Sequence, residues 1–218
     1  MENILDIVEE PGPGIKESNI LKYLWFHPTA CFKYILKHMP EKHVNLLFVL
    51  GGFTNGISRA SERNFLDQLD FWAVVLLSGL FGALAGWVVY YILAWAIHET
   101  GKWLKAKGKT EEIRTVLAWS MVPNILAFAI VIAQYALFGA ELFSAEFEVE
   151  NVAYSIAMMV FGVLATVLYI WSLVILVRGV ALVHGFSAGR AFVNILIPYL
   201  IIIVAVATVA LLYFTLKG

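Results

Sequence analysis

Four stretches of this chain carry no Asp, Glu, Lys, Arg or His: 71–97, 115–140, 152–177 and 191–216, each 26 or 27 residues long. At about 1.5 Å per residue, helices of that length reach roughly 40 Å, enough for a hydrocarbon core of ~30 Å with room for tilt. A fifth stretch, 44–58, runs only 15 residues and holds Gly51, Gly52 and Gly56. Its length leaves a short span, a re-entrant segment and an interfacial helix all open. Upstream, Pro28 suits a first helical turn. Phe32, Ile35, Leu36 and Met39 then recur at i, i+3, i+4 and i+7, with Lys33 and Lys37 on another face before Pro40 ends the run. That pattern predicts an interfacial amphipathic helix within 21–42, anchored by Trp25 and Phe26. It serves either as a strut on the membrane surface or as a docking face for a cytoplasmic partner. Residues 1–20 are polar and acidic around Pro11, Gly12, Pro13 and Gly14, and read as a disordered tail.

Basic residues decide the fate of 44–58. Five lysines precede residue 44, five basic residues lie in 99–114, and Arg178 and Arg190 lie in 178–190. The intervening segments hold only Arg59 and Arg63, then none in 141–151, then Lys217. If 44–58 crosses, the first group falls on one side and the second on the other, as the positive-inside rule requires; with four spans the bias disappears. The expected fold is therefore all-α: an integral membrane bundle of five transmembrane helices over 43–218, preceded by the interfacial helix. The N-terminus is expected in the cytoplasm and the C-terminus outside, with Glu141, Glu146, Glu148 and Glu150 also outside.

Composition agrees with a membrane protein. Of 218 residues 61% are hydrophobic and 14% charged, where soluble domains run at roughly 45–50% and about 25%. A soluble fold of this size could not cover that much hydrocarbon, which excludes a soluble globular enzyme. The net charge of −1 gives no footprint for nucleic acid. Cys31 stands alone, which excludes an intramolecular disulfide and a Cys/His zinc pattern. The first thirty residues show no basic stretch leading into an apolar run with a cleavage site, so the chain is expected to insert through its own spans.

Candidate chemistry is sparse. Ser78, Gly82 and Gly86 stand four apart with Gly79 adjacent, a small-residue stripe that lets another helix approach, within the chain or across a dimer; Gly52 and Gly56 repeat it. Pro123 and Pro198 free the carbonyls of Trp119 and Asn194 four residues earlier. With Ser120 and Asn124 these residues could line a polar pocket between the third and fifth spans, or mark kinks that neighbouring side chains heal. Gln134 is expected to bond between helices. The 100–114 loop reads as a basic amphipathic piece, with Trp103 and Leu104 among Lys102, Lys105, Lys107 and Lys109. Thr110 is expected to cap the third span, ahead of Glu111 and Glu112, and Ser187 the fifth. The parallel of Gly108, Thr110, Arg114 and Pro123 with Gly185, Ser187, Arg190 and Pro198 would fit a duplicated helical hairpin. No Asp, Glu, Lys, Arg or His lies deep in a span; His98, Arg178 and His184 sit at the edges. Proton-coupled transporters and intramembrane hydrolases normally need such groups at depth. Arg59, Glu62, Arg63, Asp67 and Asp70 form a charged cluster read as solvated surface or headgroup contact.

Taken in order, several of these pieces resemble the Yip family of membrane proteins, named for interaction with Ypt/Rab GTPases, and its bacterial branch in particular. They are Trp25, Phe26, His27 and Pro28 with Phe32, Lys33, Tyr34 and Ile35; then Leu50, Gly51 and Gly52 running to Ser58, Arg59, Ala60 and Ser61. Thr100, Gly101, Lys102 and Trp103 follow, then Glu112, Ile113 and Arg114 with Ala118, Trp119, Ser120 and Pro123, and Gly185 to Arg190, Ala191 and Pro198. The resemblance implies the same five-span layout over about 24–216, and a role like that of the eukaryotic members, which look like adaptors and membrane organisers. The expectation is a non-enzymatic scaffold, organiser or adaptor in a bacterial cytoplasmic membrane, without cofactor. Membrane lipids, a second copy and a cytoplasmic protein are its candidate partners. Phe32, Lys33, Ile35, Leu36, Lys37, Lys102, Trp103 and Lys105 would form its lipid or partner face. The alternative is a transporter or channel for a small neutral or lipidic solute, using the kinked third and fifth helices. An enzyme built on the Arg59–Asp70 cluster ranks behind both.

Overall fold

The computed structural model describes residues 14–62, 70–139 and 151–217. Among these residues the chain is helical and holds no strand. The helices are α1 (Ile20–Phe26), α2 (Pro28–His38), α3 (Val44–Glu62), α4 (Phe71–Trp103), α5 (Thr110–Ser120), α6 (Val122–Leu126), α7 (Phe128–Phe138), α8 (Val152–His184) and α9 (Ala188–Lys217). Four helical segments are long and apolar enough to cross a membrane: Phe71–Trp103, Thr110–Phe138, Val152–His184 and Ala188–Thr215. The shorter, less apolar α3 is not among them. The chain divides into two compact units: Met1–Pro40, Ile92–Val116 and Val177–Gly218 form the first, Glu41–Tyr91 and Leu117–Leu176 the second. Residues 1–13 of the expected acidic tail, the acidic 141–150 segment, and Arg63 and Asp67 of the charged cluster lie outside the described residues. The end of that tail, 14–20, is described, with a 3-10 turn over Glu17–Asn19 and with Ile15 and Ile20 buried.

Helix ends depart from the apolar runs in a consistent way. Helix α4 continues six residues past 97, α8 seven past 177, and α9 starts three before 191. Charged residues end an apolar run but do not break backbone hydrogen bonding, so the helices carry on into the polar zone. Proline acts differently in two places. Around Pro123 the expected single helix is three, α5, α6 and α7, with joints at Met121 and Ala127. The Met121 N–H turns to Ala118 C=O at 3.1 Å, and the Ala127 N–H is shared between Pro123 and Asn124 carbonyls. Pro198, in contrast, sits inside the unbroken α9.

In the first unit, Pro28 opens α2, and the face Cys31, Phe32, Ile35 and Leu36 is buried. The Phe32 ring lies against Gly179, where an added Cβ would come within 2.8 Å of it. The apolar stripe is as expected, but the chain itself covers it. Hydrophobic periodicity gives a face and not its partner, so the expectation that Phe32, Ile35 and Leu36 meet lipid or another protein is corrected here. Burial in α2 also pushes the Cys31 thiol up to about 12.

In the second unit, α3 lies backbone to backbone on the first part of α4. Gly52 abuts the Gly82 carbonyl, Ala83 Cα and Gly86 Cα, and Gly56 abuts the Ser78 carbonyl and Gly82 Cα. The small-residue stripe is thus consumed inside the chain, which takes these glycines away from a dimer contact. Polar bonds fix the register: Asn45 Oδ1 accepts from Trp87 Nε1 (3.1 Å) and Tyr91 O–H (2.7 Å), and Asn55 Nδ2 donates to Tyr90 Oη at 2.7 Å. Below them Ile57, Ala60 and Val74 form a buried cluster with Phe53, Phe71, Phe128 and Met158 around it.

Candidate functional site

The most elaborate polar construction in the first unit is where α4 ends and the chain turns toward α5. Helix α4 closes with two bonds, Ala106 N–H to Gly101 C=O and Lys105 N–H to Lys102 C=O, both 2.9 Å. This is the Schellman pattern, which requires a left-handed residue at the position occupied by Lys105, with φ of 62°. Helix α8 ends in the same way, with Phe186 N–H to Ala181 C=O and Gly185 N–H to Leu182 C=O, and there the left-handed residue is Gly185. Beyond the turn, Glu112 Oε2 accepts from Lys109 N–H at 2.8 Å. Lys109 therefore holds the capping position, and Thr110, expected there, is the first helical residue. Ser187 does cap α9, its Oγ accepting from Arg190 N–H at 3.4 Å.

His184 lies under this turn, 1% exposed. Its ring is enclosed by two glycines: a Cβ on Gly101 would stand 2.8 Å from Nε2, and one on Gly108 3.0 Å from Nδ1. His98 is beside it, ring centroids 6.4 Å apart, and Phe186 is 5.2 Å away. Arg190 covers the Phe186 ring at 4.7 Å and donates Nη2–H to the Leu104 carbonyl at 2.6 Å. Asn194, fully buried, donates from Nδ2 to Ile97 C=O (3.0 Å) and to Thr100 Oγ1 (2.9 Å). Asn194 Oδ1, both His184 nitrogens and His98 Nδ1 are buried and find no partner among the described residues. On the outside, Lys102, Trp103, Lys105, Lys107 and Lys109 are all exposed, Trp103 by 68%.

The expected polar-pocket residues fall in both units. In the second, Trp119 is buried in a T-shaped pair with His43, ring centroids 6.2 Å apart, and Ser120 Oγ donates to Leu117 C=O at 2.7 Å. Pro123 is buried, and Asn124 Oδ1 is buried without a partner among the described residues. In the first, Asn194 makes the bonds above and Pro198 is buried. Gln134 Nε2 donates to the Met158 sulfur at 3.8 Å. Of the expected lipid or partner face, Lys37, Lys102, Trp103 and Lys105 are exposed and Lys33 half-buried. No group of three or more metal-ligating side chains occurs among the described residues.

Sequence reasoning passed over His184 as an edge residue. The signal was available in Gly101 and Gly108, two glycines flanking a lysine-rich turn, but a glycine does not say which ring it makes room for. Compared with known proteins, residues 22–210 match the family model described as the Yip1 domain. No curated protein and no solved structure gave a match.

Proposed function

Since the chain belongs to the Yip1 domain family, we propose that it is a non-enzymatic membrane organiser of the Yip type, a scaffold or adaptor in a bacterial cytoplasmic membrane. The observation that carries this reading is the use made of Asn194. Its amide spans to Ile97 C=O and Thr100 Oγ1 and ties α9 to the end of α4, which is structural work rather than the lining of a solute path. Ser120 is likewise committed to Leu117 C=O. The five-span layout belongs to the same proposal, with α3 as the short first span. Its 15 uncharged residues 44–58 reach about 22 Å of the ~30 Å core, and Arg59 and Glu62 at the end of the helix would lie toward the polar zone.

Passage of a small neutral solute is the second reading, favoured by the unpartnered Oδ1 atoms of Asn124 and Asn194. Reconstitution separates the two. In liposomes loaded with small neutral solutes, the organiser leaks no faster than protein-free vesicles, and Asn124→Ala and Asn194→Ala change nothing. Solute flux that the protein supplies and these substitutions abolish would replace the organiser by a transporter.

A further inference from the structure

We infer that the turn from Lys102 to Lys109 is a binding site for the headgroups of anionic phospholipids in the protein's own bilayer. This goes beyond the organiser reading and rests only on the chain being an integral membrane protein.

The turn's depth follows from the sequence of α4. The apolar run stops at Ile97 and Lys102 comes five residues later, about 8 Å along the helix; Arg190 likewise directly precedes the apolar run that starts at 191. That level is the headgroup zone, where indoles concentrate and where basic side chains meet lipid phosphate. Trp103 is 68% exposed there, with exposed Lys102, Lys105, Lys107 and Lys109 around it.

The acidic side chains on the flanking helices are already committed. Glu99 pairs with Lys102 at 2.6 Å, Glu111 with Arg114 at 3.7 Å, and Glu112 with the Lys109 backbone. Lys105, Lys107 and Lys109 make no ion pair among the described residues, so the turn keeps its positive charge.

The turn is also built to hold its shape. Gly101 and Gly108 close on the His184 ring beneath the turn, and Arg190 holds the Leu104 carbonyl. At its apex Lys105 stands in the left-handed region that Gly185 occupies in the matching end of α8. A side chain there carries backbone strain that glycine would remove. Strain of this kind collects at binding sites, and an ammonium facing phosphate gives the lysine a use.

The test uses the full chain in a neutral detergent, with bound lipid counted by native mass spectrometry. Phosphatidylglycerol is expected to be retained about tenfold over phosphatidylcholine, and K102A/K105A/K107A/K109A to abolish the preference. Lys105→Gly is expected to raise the melting temperature and weaken phosphatidylglycerol binding about fivefold, the contribution of one basic residue near a charged membrane. This second variant decides the matter if the quadruple one does not fold. Equal retention of the two lipids overturns the proposal, as does a Lys105→Gly protein that is stabilised with its lipid binding intact. Displacement of the lipid by inorganic phosphate at matched concentration would also overturn it, assigning the turn to a soluble anion.

Discussion

Gly101 and Gly108 matter through the ring they admit. A methyl on Gly101 would stand 2.8 Å from His184 Nε2, closer than atoms approach without displacement, and the ring is buried on all sides. Gly101→Ala is expected to lower stability by about 1–3 kcal/mol, the usual cost of overpacking. Gly162→Ala, with nothing within 4 Å of the added Cβ, should be neutral or slightly stabilising in a helix. Thermal unfolding of the two variants side by side checks this. Cys31 gives a second test at this scale. Its thiol ionises at about 12 in the folded chain against an ordinary 9.0, because burial disfavours the thiolate. The folded state therefore holds a proton between pH 9 and 12 that the unfolded state releases, so stability from this group is full below pH 9 and falls through that window. Wild type is expected to lose stability across it faster than Cys31→Ser. In the native protein at neutral pH the thiol should resist maleimide, reacting only on unfolding.

At the scale of elements, the pairing of α3 with α4 depends on the absence of side chains. Gly52 and Gly56 face the backbone of Ser78, Gly82 and Gly86 rather than flexible side chains, so an added methyl has nothing soft to push aside. Gly56→Ala and Gly82→Ala are each expected to destabilise by about 2–3 kcal/mol, at the upper end of overpacking costs, measured by thermal unfolding in detergent. The oligomeric mass by light scattering should be unchanged, because the stripe is spent within one chain. The glycine spacing made the two close-packing surfaces legible from sequence, and the apolar runs located the four long helical segments. Which partner the stripe would take was not legible, since Gly-xxx-Gly describes a smooth surface and not its neighbour. For the same reason the stripe of α2 was found but its cover was not. Pro123 and Pro198 looked equivalent in the sequence, yet only the first interrupts its helix. A proline's missing N–H is local, while the response depends on how the neighbouring carbonyls are satisfied.

For the whole molecule, the count of spans decides where the two ends lie. Four helical segments qualify as spans on length and apolarity, and the proposed fifth is α3, argued from the bias of basic residues. With five, Lys16 and Lys217 face opposite compartments. In a Cys31→Ser background, single cysteines at positions 16 and 217 are expected to label from opposite sides of intact vesicles with a membrane-impermeant maleimide. Labelling of both from one side would return the molecule to four spans. The family match covers 22–210 and so reaches from α1 into α9. The candidate site was half visible beforehand: lysines and indole could be read directly, whereas the histidine beneath them and the left-handed lysine at the apex are three-dimensional facts.

The glycine-lined hairpin also bears on biogenesis. A segment of 19 residues that carries three glycines and Asn45, Thr54 and Asn55 has little to recommend it to the insertion machinery alone, since its own hydrocarbon content is modest. Its exposed peptide groups and polar side chains acquire company only once the following helix is made. On the five-span layout the two would therefore enter the lipid together, the first waiting at the translocon for the second. A nascent chain halted before residue 71 would leave its leading helix stranded at the surface.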